Sequence, residues 1–400
     1  MSAAKEFERS RFGLQWTNEL MARGECMESA KINAYQLFVV IVLFEMGSAI
    51  LVGLGAQAKQ DAWIAILLGL GGGLGVFLIY FQLYKYYPEI PLTSYVQKIA
   101  GKWMGRMIGV LYIIYFLYCA ARVLRDFGEL LTSTIYTATP LIVINCLMIF
   151  TIIYGIHKGF EVIARVGELF FIVIYMMAFV GFGLIMFSGL IHLENLRPIL
   201  ENGWKPVLKT FVTETINFPF GEMVVFTMLL PYLNDSKKVK WVCLGGMILA
   251  GINITITAVI NVAALGASLF TRANFPLLST ISRIQLANFI ERLDVLFMLY
   301  LVIGGFFKIA IFFYEAVAGT ADIFGFKDFK KLSFPMGALV LFASITIASN
   351  YAEHLKEGLI VVPVYLHWPF QILIPSFLLM IAFVRNRRKK AEKSKKLPME

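Results

Sequence analysis

Apolar residues in this chain run in long unbroken blocks, and polar residues gather in short stretches between them instead of alternating at a strand or surface-helix period. Ten blocks stand out, near 35–57, 62–84, 107–130, 140–156, 166–190, 211–231, 241–266, 293–318, 335–350 and 360–384. Most come close to the roughly 20 residues that, at about 1.5 Å each, cross about 30 Å of hydrocarbon. The pattern predicts an all-α integral membrane protein of ten transmembrane helices. Pro363, Pro369 and Pro375 interrupt the tenth block, so an irregular last helix is expected. A tail over 1–34 and a basic stretch over 385–400 flank a membrane domain over 35–384. Its repeats are expected at about 35–190 and 211–350, with 360–384 added. The longest connection, between the fifth and sixth blocks, has about 20 residues, too short for an appended soluble catalytic domain. No enzyme activity is expected: no nucleophile–base spacing and no phosphate-binding loop is present.

The charges separate into two sides. With ten spans, 25 Lys and Arg fall on the side of the two termini and 8 on the other. By the positive-inside rule both termini are cytoplasmic, and an odd number of spans would break the asymmetry. A net charge of +10 in a chain 59% hydrophobic, with mean hydropathy +0.74, therefore reads as topology in a lipid bilayer and not as a nucleic-acid surface. The first 34 residues hold five basic and five acidic side chains and no short apolar core before a small-residue cleavage site, so no signal peptide is expected. Cys26, Cys119, Cys146 and Cys243 show no C-x-x-C spacing, and His157, His192, His354 and His367 stand singly. Neither a disulfide framework, a metal site nor a cofactor is expected.

Candidate chemistry lies in the residues that do not belong in hydrocarbon. An ionisable group at bilayer depth is costly and normally faces the bundle interior. Glu45 in the first span, Glu222 in the sixth and Lys308 in the eighth all sit near mid-membrane. Gly47-Ser48-Ala49-Ile50 follows Glu45, and Phe218-Pro219-Phe220-Gly221 precedes Glu222. Pro219 lacks a backbone donor and the glycines lack side-chain restraint, so spans one and six are expected to break there. Freed backbone groups are tolerated in a membrane where they line a cavity or meet a ligand. The amides after Ser48 suit a carboxylate, and the carbonyls around Phe218 suit an ammonium. Spans one and six are five apart, an odd number, so a five-helix repeat would insert upside down, as in many transporters with a midplane site. In span three, Arg122 with Asp126 and Arg125 with Glu129 are four apart and can pair on one helix face. Cys119 and Tyr115 continue that stripe toward the proposed cavity. The bland alternative is a glycine packing site, a proline kink and a buried ion cluster of Glu45, Glu222 and Lys308 that fixes helix packing.

In order and spacing, several segments resemble the B-subunit permeases of bacterial spore germinant receptors, a branch of the amino acid–polyamine–organocation transporter superfamily. They are Gly47-Ser48-Ala49-Ile50-Leu51, Gly101-Lys102-Trp103-Met104-Gly105, Glu194 to Leu200, Phe218 to Phe226, Leu230 to Asn234, Glu291-Arg292 and Phe306 to Ile309. The resemblance implies a leucine-transporter-like fold of two inverted five-helix repeats, with broken helices one and six, in the inner membrane of the spore. It implies a receptor with a larger membrane A subunit and a lipoprotein C subunit, and a small nutrient, commonly an amino acid, bound by the B subunit to trigger germination. Carried onto this chain, the pocket falls at Gly47 to Ile50 and Phe218 to Glu222, with Tyr115 and Cys119 as walls and Glu45, Arg122 and Lys308 available for ion coupling or gating. A proton-coupled amino acid transporter is the second reading.

Overall fold

The computed structural model describes residues 32–284 and 293–394. Expectations about the tail, Cys26 and Glu291-Arg292 lie outside the described residues. Helices account for the architecture, and no strand ladder occurs among the described residues; Ile32 forms an isolated bridge to Leu233. In chain order the membrane helices are α1 (Ala34–Ala49), α2 (Ala62–Tyr86), α3 (Lys102–Thr134), α4 (Leu141–Lys158) and α5 (Phe160–Phe187). An interrupted α6 (204–232) follows, then α7 (Val239–Leu265), α8 (Leu293–Phe324), α9 (Ser333–Thr346) and an irregular α10 (351–394). Among the described residues, eight helices are long and apolar enough to cross a membrane; α1 is shorter and α6 is broken. These two are the helices expected to break.

Local chemistry explains the boundaries. Asn33 and Gln36 form a reciprocal capping box that starts α1, with bonds of 2.8 and 3.0 Å. Ile32 N–H donates to Tyr232 at 3.1 Å and its carbonyl accepts from Asn234 N–H at 3.1 Å, which ties the entry of α1 to the exit of α6. Gly159, at φ +101°, bonds its N–H to Gly155 and Ile156 and turns α4 into α5 without a loop. α1 stops eight residues before the end of its apolar block, because the chain passes through turns to Gly55 at φ +77°. α10 contains wide π turns over Glu357–Val361 and Pro363–Leu373, with Pro369 inside. The proline-rich block is thus irregular, as expected.

The helices are not equally enclosed. α8 is buried on nearly all sides, whereas α5 turns most of its surface outward, the pattern of a central element and a lipid-facing one. Gly304 on α8 meets Gly47 on α1 backbone to backbone, so small residues allow these helices to approach closely. Around α8 gather α1, α3, α5 and α6, and the ionisable residues lie among them.

At the end of the bundle that carries the more basic loops, a short helix, Leu92–Ala100, closes against α8. Asp322 accepts from Thr93 Oγ1 at 2.6 Å and from Ser94 Oγ at 2.8 and 2.9 Å, tying the first turn of this helix to α8. Arg385 on α10 donates to the carbonyls of Lys98 and Ile99 at 2.8 and 2.7 Å, engaging the other end of the same helix. Asp322→Ala removes charge-assisted bonds worth about 2 kcal/mol. It is expected to lower the unfolding temperature in detergent by several degrees, and an unchanged melting curve would show that this closure contributes little.

Candidate functional site

Three of the mid-membrane groups named from sequence converge. Lys308 Nζ lies 2.5 Å from Glu222 Oε2, and neither side chain is more than 4% exposed. The ammonium also sits 4.6 Å from the Phe218 ring centroid and 5.0 Å from that of Phe44, a cation–π sandwich that offsets part of the cost of burial. Glu45 is fully buried, and neither of its carboxylate oxygens has a hydrogen-bond partner among the described residues.

Beside the ion pair is a small cavity of about 50 Å³. α1 and the turn after it supply Ser48 and Val52; α3 supplies Cys119, Arg122, Val123 and Asp126; α6 supplies Phe218 and Glu222; α10 supplies Leu355, Gly358, Leu359 and His367. Ser48 Oγ is buried with no partner among the described residues. Leu355 and Leu359 also line a second, wider vestibule of about 430 Å³ at the opposite end from the basic loops, so it shares two leucines with the inner cavity. In the vestibule wall, Glu214 accepts from Gly55 N–H at 3.0 Å and links the wide turns of α6 to the chain after α1.

The other residues named from sequence fall outside this cavity. Gly47 faces Gly304: a Cβ there would stand 2.6 Å from the Gly304 carbonyl oxygen, so its lack of a side chain serves helix contact. Ala49 and Ile50 are core residues. Phe220 packs on Gly73, where a Cβ would collide with it, and Gly221 packs on Gln371. Pro219 forms the break itself, after a cis peptide bond from Phe218. Tyr115 stands behind the cavity, with its hydroxyl between His367 Nδ1 and Gln371 Nε2, each at 2.8 Å.

Two expectations need correction. α1 does not resume after Ser48 with free amides, because Leu51 and Val52 both donate to the Ser48 carbonyl, at 3.2 and 3.3 Å. At the α6 break, Asn217 and Pro219 carbonyls accept from Gly221 and Glu222 at 3.0 and 2.9 Å, and Tyr80 Oη donates to the Gly221 carbonyl at 3.1 Å. Both breaks therefore satisfy much of their own backbone. The span-three pairing is also half right. Arg125 and Glu129 meet at 2.8 Å, and Arg125 further donates to the Ser344 and Ile345 carbonyls near the end of α9. Arg122, however, donates to the His354 carbonyl and to Tyr118 Oη, and Asp126 pairs with His354 Nε2 at 2.9 Å.

Sequence reading missed His354, His367, Gln371 and Glu214. Glu214 carried a signal, an acid inside the sixth apolar block, but the histidines carried none, since each stands alone in the chain.

A family model described as spore germination protein matches residues 31–352, and Spore germination protein KB of Bacillus subtilis (strain 168) is 46% identical over 369 residues, 92% of this chain and 98% of that protein. The chain belongs to the spore germination permease family. The B-subunit likeness read from its segments is thus a family relationship over most of its length. Spore germination protein YndE of the same strain is 27% identical over 371 residues, covering 90% of this chain and 99% of its own. Among solved structures, MhsT in complex with L-phenylalanine matches with a TM-score of 0.62 at 12% identity over 89% of each chain. Mhp1, a nucleobase-cation-symport-1 family transporter in a closed conformation with bromovinylhydantoin bound, matches at 0.58 and 13%, over 80% of this chain and 73% of that one. The spore germination chain therefore has the leucine-transporter-like fold and is a multi-pass membrane protein of permease type.

Proposed function

We propose that this chain is the germinant-binding subunit of a spore germination receptor and takes a small nutrient, an amino acid being the first class to test, into the cavity beside Glu222. The observation that carries this reading is the cavity itself. It lies at the α6 break, contains the buried hydroxyl of Ser48, which has no partner among the described residues, and shares Leu355 and Leu359 with the vestibule. Ser48, Cys119, Phe218 and Glu222 would touch the nutrient. The Arg122–His354 and Asp126–His354 contacts strap the start of α10 to α3 over the cavity mouth, which suits a gate. With the basic end in the cytoplasm, the vestibule faces outward and nutrient reaches it from outside the spore inner membrane.

A receptor needs two states that the nutrient distinguishes, and each tenfold difference in affinity shifts their balance by about 1.4 kcal/mol. A membrane A subunit and a lipoprotein C subunit would read that shift. The second reading, a proton-coupled amino acid transporter, is favoured by Glu45, a buried carboxylate with no hydrogen-bond partner among the described residues, which suits a proton carrier. Equilibrium binding of amino acids to the purified chain, followed by uptake into proteoliposomes under a pH gradient, separates the two. Binding without concentrative uptake is the expected result, and proton-driven accumulation would establish the transporter.

A further inference from the structure

His367 was not among the residues that sequence reading selected, yet its ring is buried on the cavity wall, 4% exposed. Its surroundings fix both its position and its hydrogen-bonding sense. Tyr115 stacks flat on Phe370, with ring centroids 4.8 Å apart and planes 4° from parallel, and meets the His367 ring edge-on at 5.7 Å. Gln371, one residue after Phe370, has its backbone carbonyl engaged by Tyr80 Oη at 2.6 Å. An amide nitrogen can only donate, so Gln371 Nε2 fills a lone pair of the Tyr115 hydroxyl. The Tyr115 hydrogen then goes to the strongest acceptor in reach, the imidazole Nδ1 at 2.8 Å. With Nδ1 accepting, the ring proton of neutral His367 resides on Nε2. That nitrogen makes no hydrogen bond to any described residue.

We infer that His367 Nε2–H is a ligand-orienting donor. The Gln371–Tyr115 pair holds it in one tautomer, and it binds an oxygen acceptor of the nutrient, a carboxylate, carbonyl or hydroxyl oxygen, together with the buried hydroxyl of Ser48. The inference rests on the nutrient-binding reading and names the polar contact that reading lacks. Each carboxylate in the cavity wall already has a partner, Glu222 Oε2 with Lys308 and Asp126 Oδ1 with His354, whereas Ser48 Oγ and His367 Nε2 have none among the described residues. Tyr115, Gln371 and Phe370 are positioning residues that act through the imidazole.

The test uses the isosteric difference between two amides. The amide nitrogen of Gln reaches the place of Nε2, and that of Asn the place of Nδ1. Spores carrying the full chain as their intact receptor permease would be germinated with the standard L-amino acids and common hexoses, each titrated singly, with membrane abundance measured in parallel. For whichever compound triggers germination, His367→Leu is expected to raise the half-saturating concentration about tenfold or more, leaving the maximal rate near normal. His367→Gln should stay within about threefold of the unsubstituted protein, and His367→Asn should behave like His367→Leu. A His367→Leu protein with unchanged half-saturation, or equal rescue by Gln and Asn, overturns the inference while the nutrient-binding reading stands. If the unsubstituted chain, purified, binds none of these compounds, the binding reading itself falls and the role of His367 falls with it.

Discussion

Lys308→Ala is expected to remove most of the protein from the membrane. The ammonium is fully buried, 2.5 Å from Glu222 and between two aromatic rings. Deleting it leaves the Glu222 carboxylate without its counter-charge in an apolar setting, next to a second buried acid, Glu45. Breaking one side of a buried pair costs about 3–5 kcal/mol, a large part of the stability of most folded chains. The loss of the lysine stem also opens a void between α1, α6 and α8. Abundance by immunoblot and unfolding in detergent should both fall sharply. Lys308→Met combined with Glu222→Gln removes both charges and nearly keeps their volume, so it should recover much of the abundance without restoring germination. Lys308→Ala at normal abundance with germination lost would instead mean that the pair acts in signalling and contributes little to the fold.

The contrast between what the sequence made legible and what it did not follows the range of the interactions. Ten spans were readable because hydrocarbon imposes a length that the apolar blocks meet, and the two interrupted helices were readable because Pro219 and the glycines act on their own backbone. Glu45, Glu222 and Lys308 stood out because each is costly wherever it points. Arg125 and Glu129 pair as their four-residue spacing predicts. Arg122 and Asp126 have the same spacing, yet α10 brings His354 against both, more than 200 residues along the chain. Helical spacing cannot register a competitor from a different helix. Gly47 illustrates the same limit. A glycine beside a buried acid reads equally well as room for a ligand or room for a helix, and only the opposite surface, Gly304, decides between them.

That assignment makes Gly47→Val the second large effect expected, and its contrast with Gly221→Val is the sharper test. At Gly47 a Cβ would lie 2.6 Å from the Gly304 carbonyl oxygen, 3.2 Å from its carbon and 3.0 Å from Lys308 Cβ. Backbone blocks it on one side and the root of a buried lysine on the other, so neither neighbour can rotate away. Valine must push α1 off α8 and carry Lys308 away from Glu222, which adds the loss of the ion pair to an overpacking cost of about 1–3 kcal/mol. Membrane abundance should fall as far as in Lys308→Ala, and Gly47→Ala should fall between Gly47→Val and the unsubstituted protein. At Gly221 the severe collision, at 2.2 Å, is with the side-chain oxygen of Gln371, the end of a flexible group, while Gln371 Cδ at 3.0 Å and the Ile216 carbonyl oxygen at 3.1 Å would each have to give by a few tenths of an ångström. Valine there can be accommodated by turning the Gln371 amide, but the turn removes the bond that Gln371 donates to Tyr115. Gly221→Val should therefore stay abundant while the nutrient concentration needed for germination rises. Equal abundance of the two valine variants would contradict the close α1–α8 contact, because only a separated pair of helices has room for the larger side chain at Gly47.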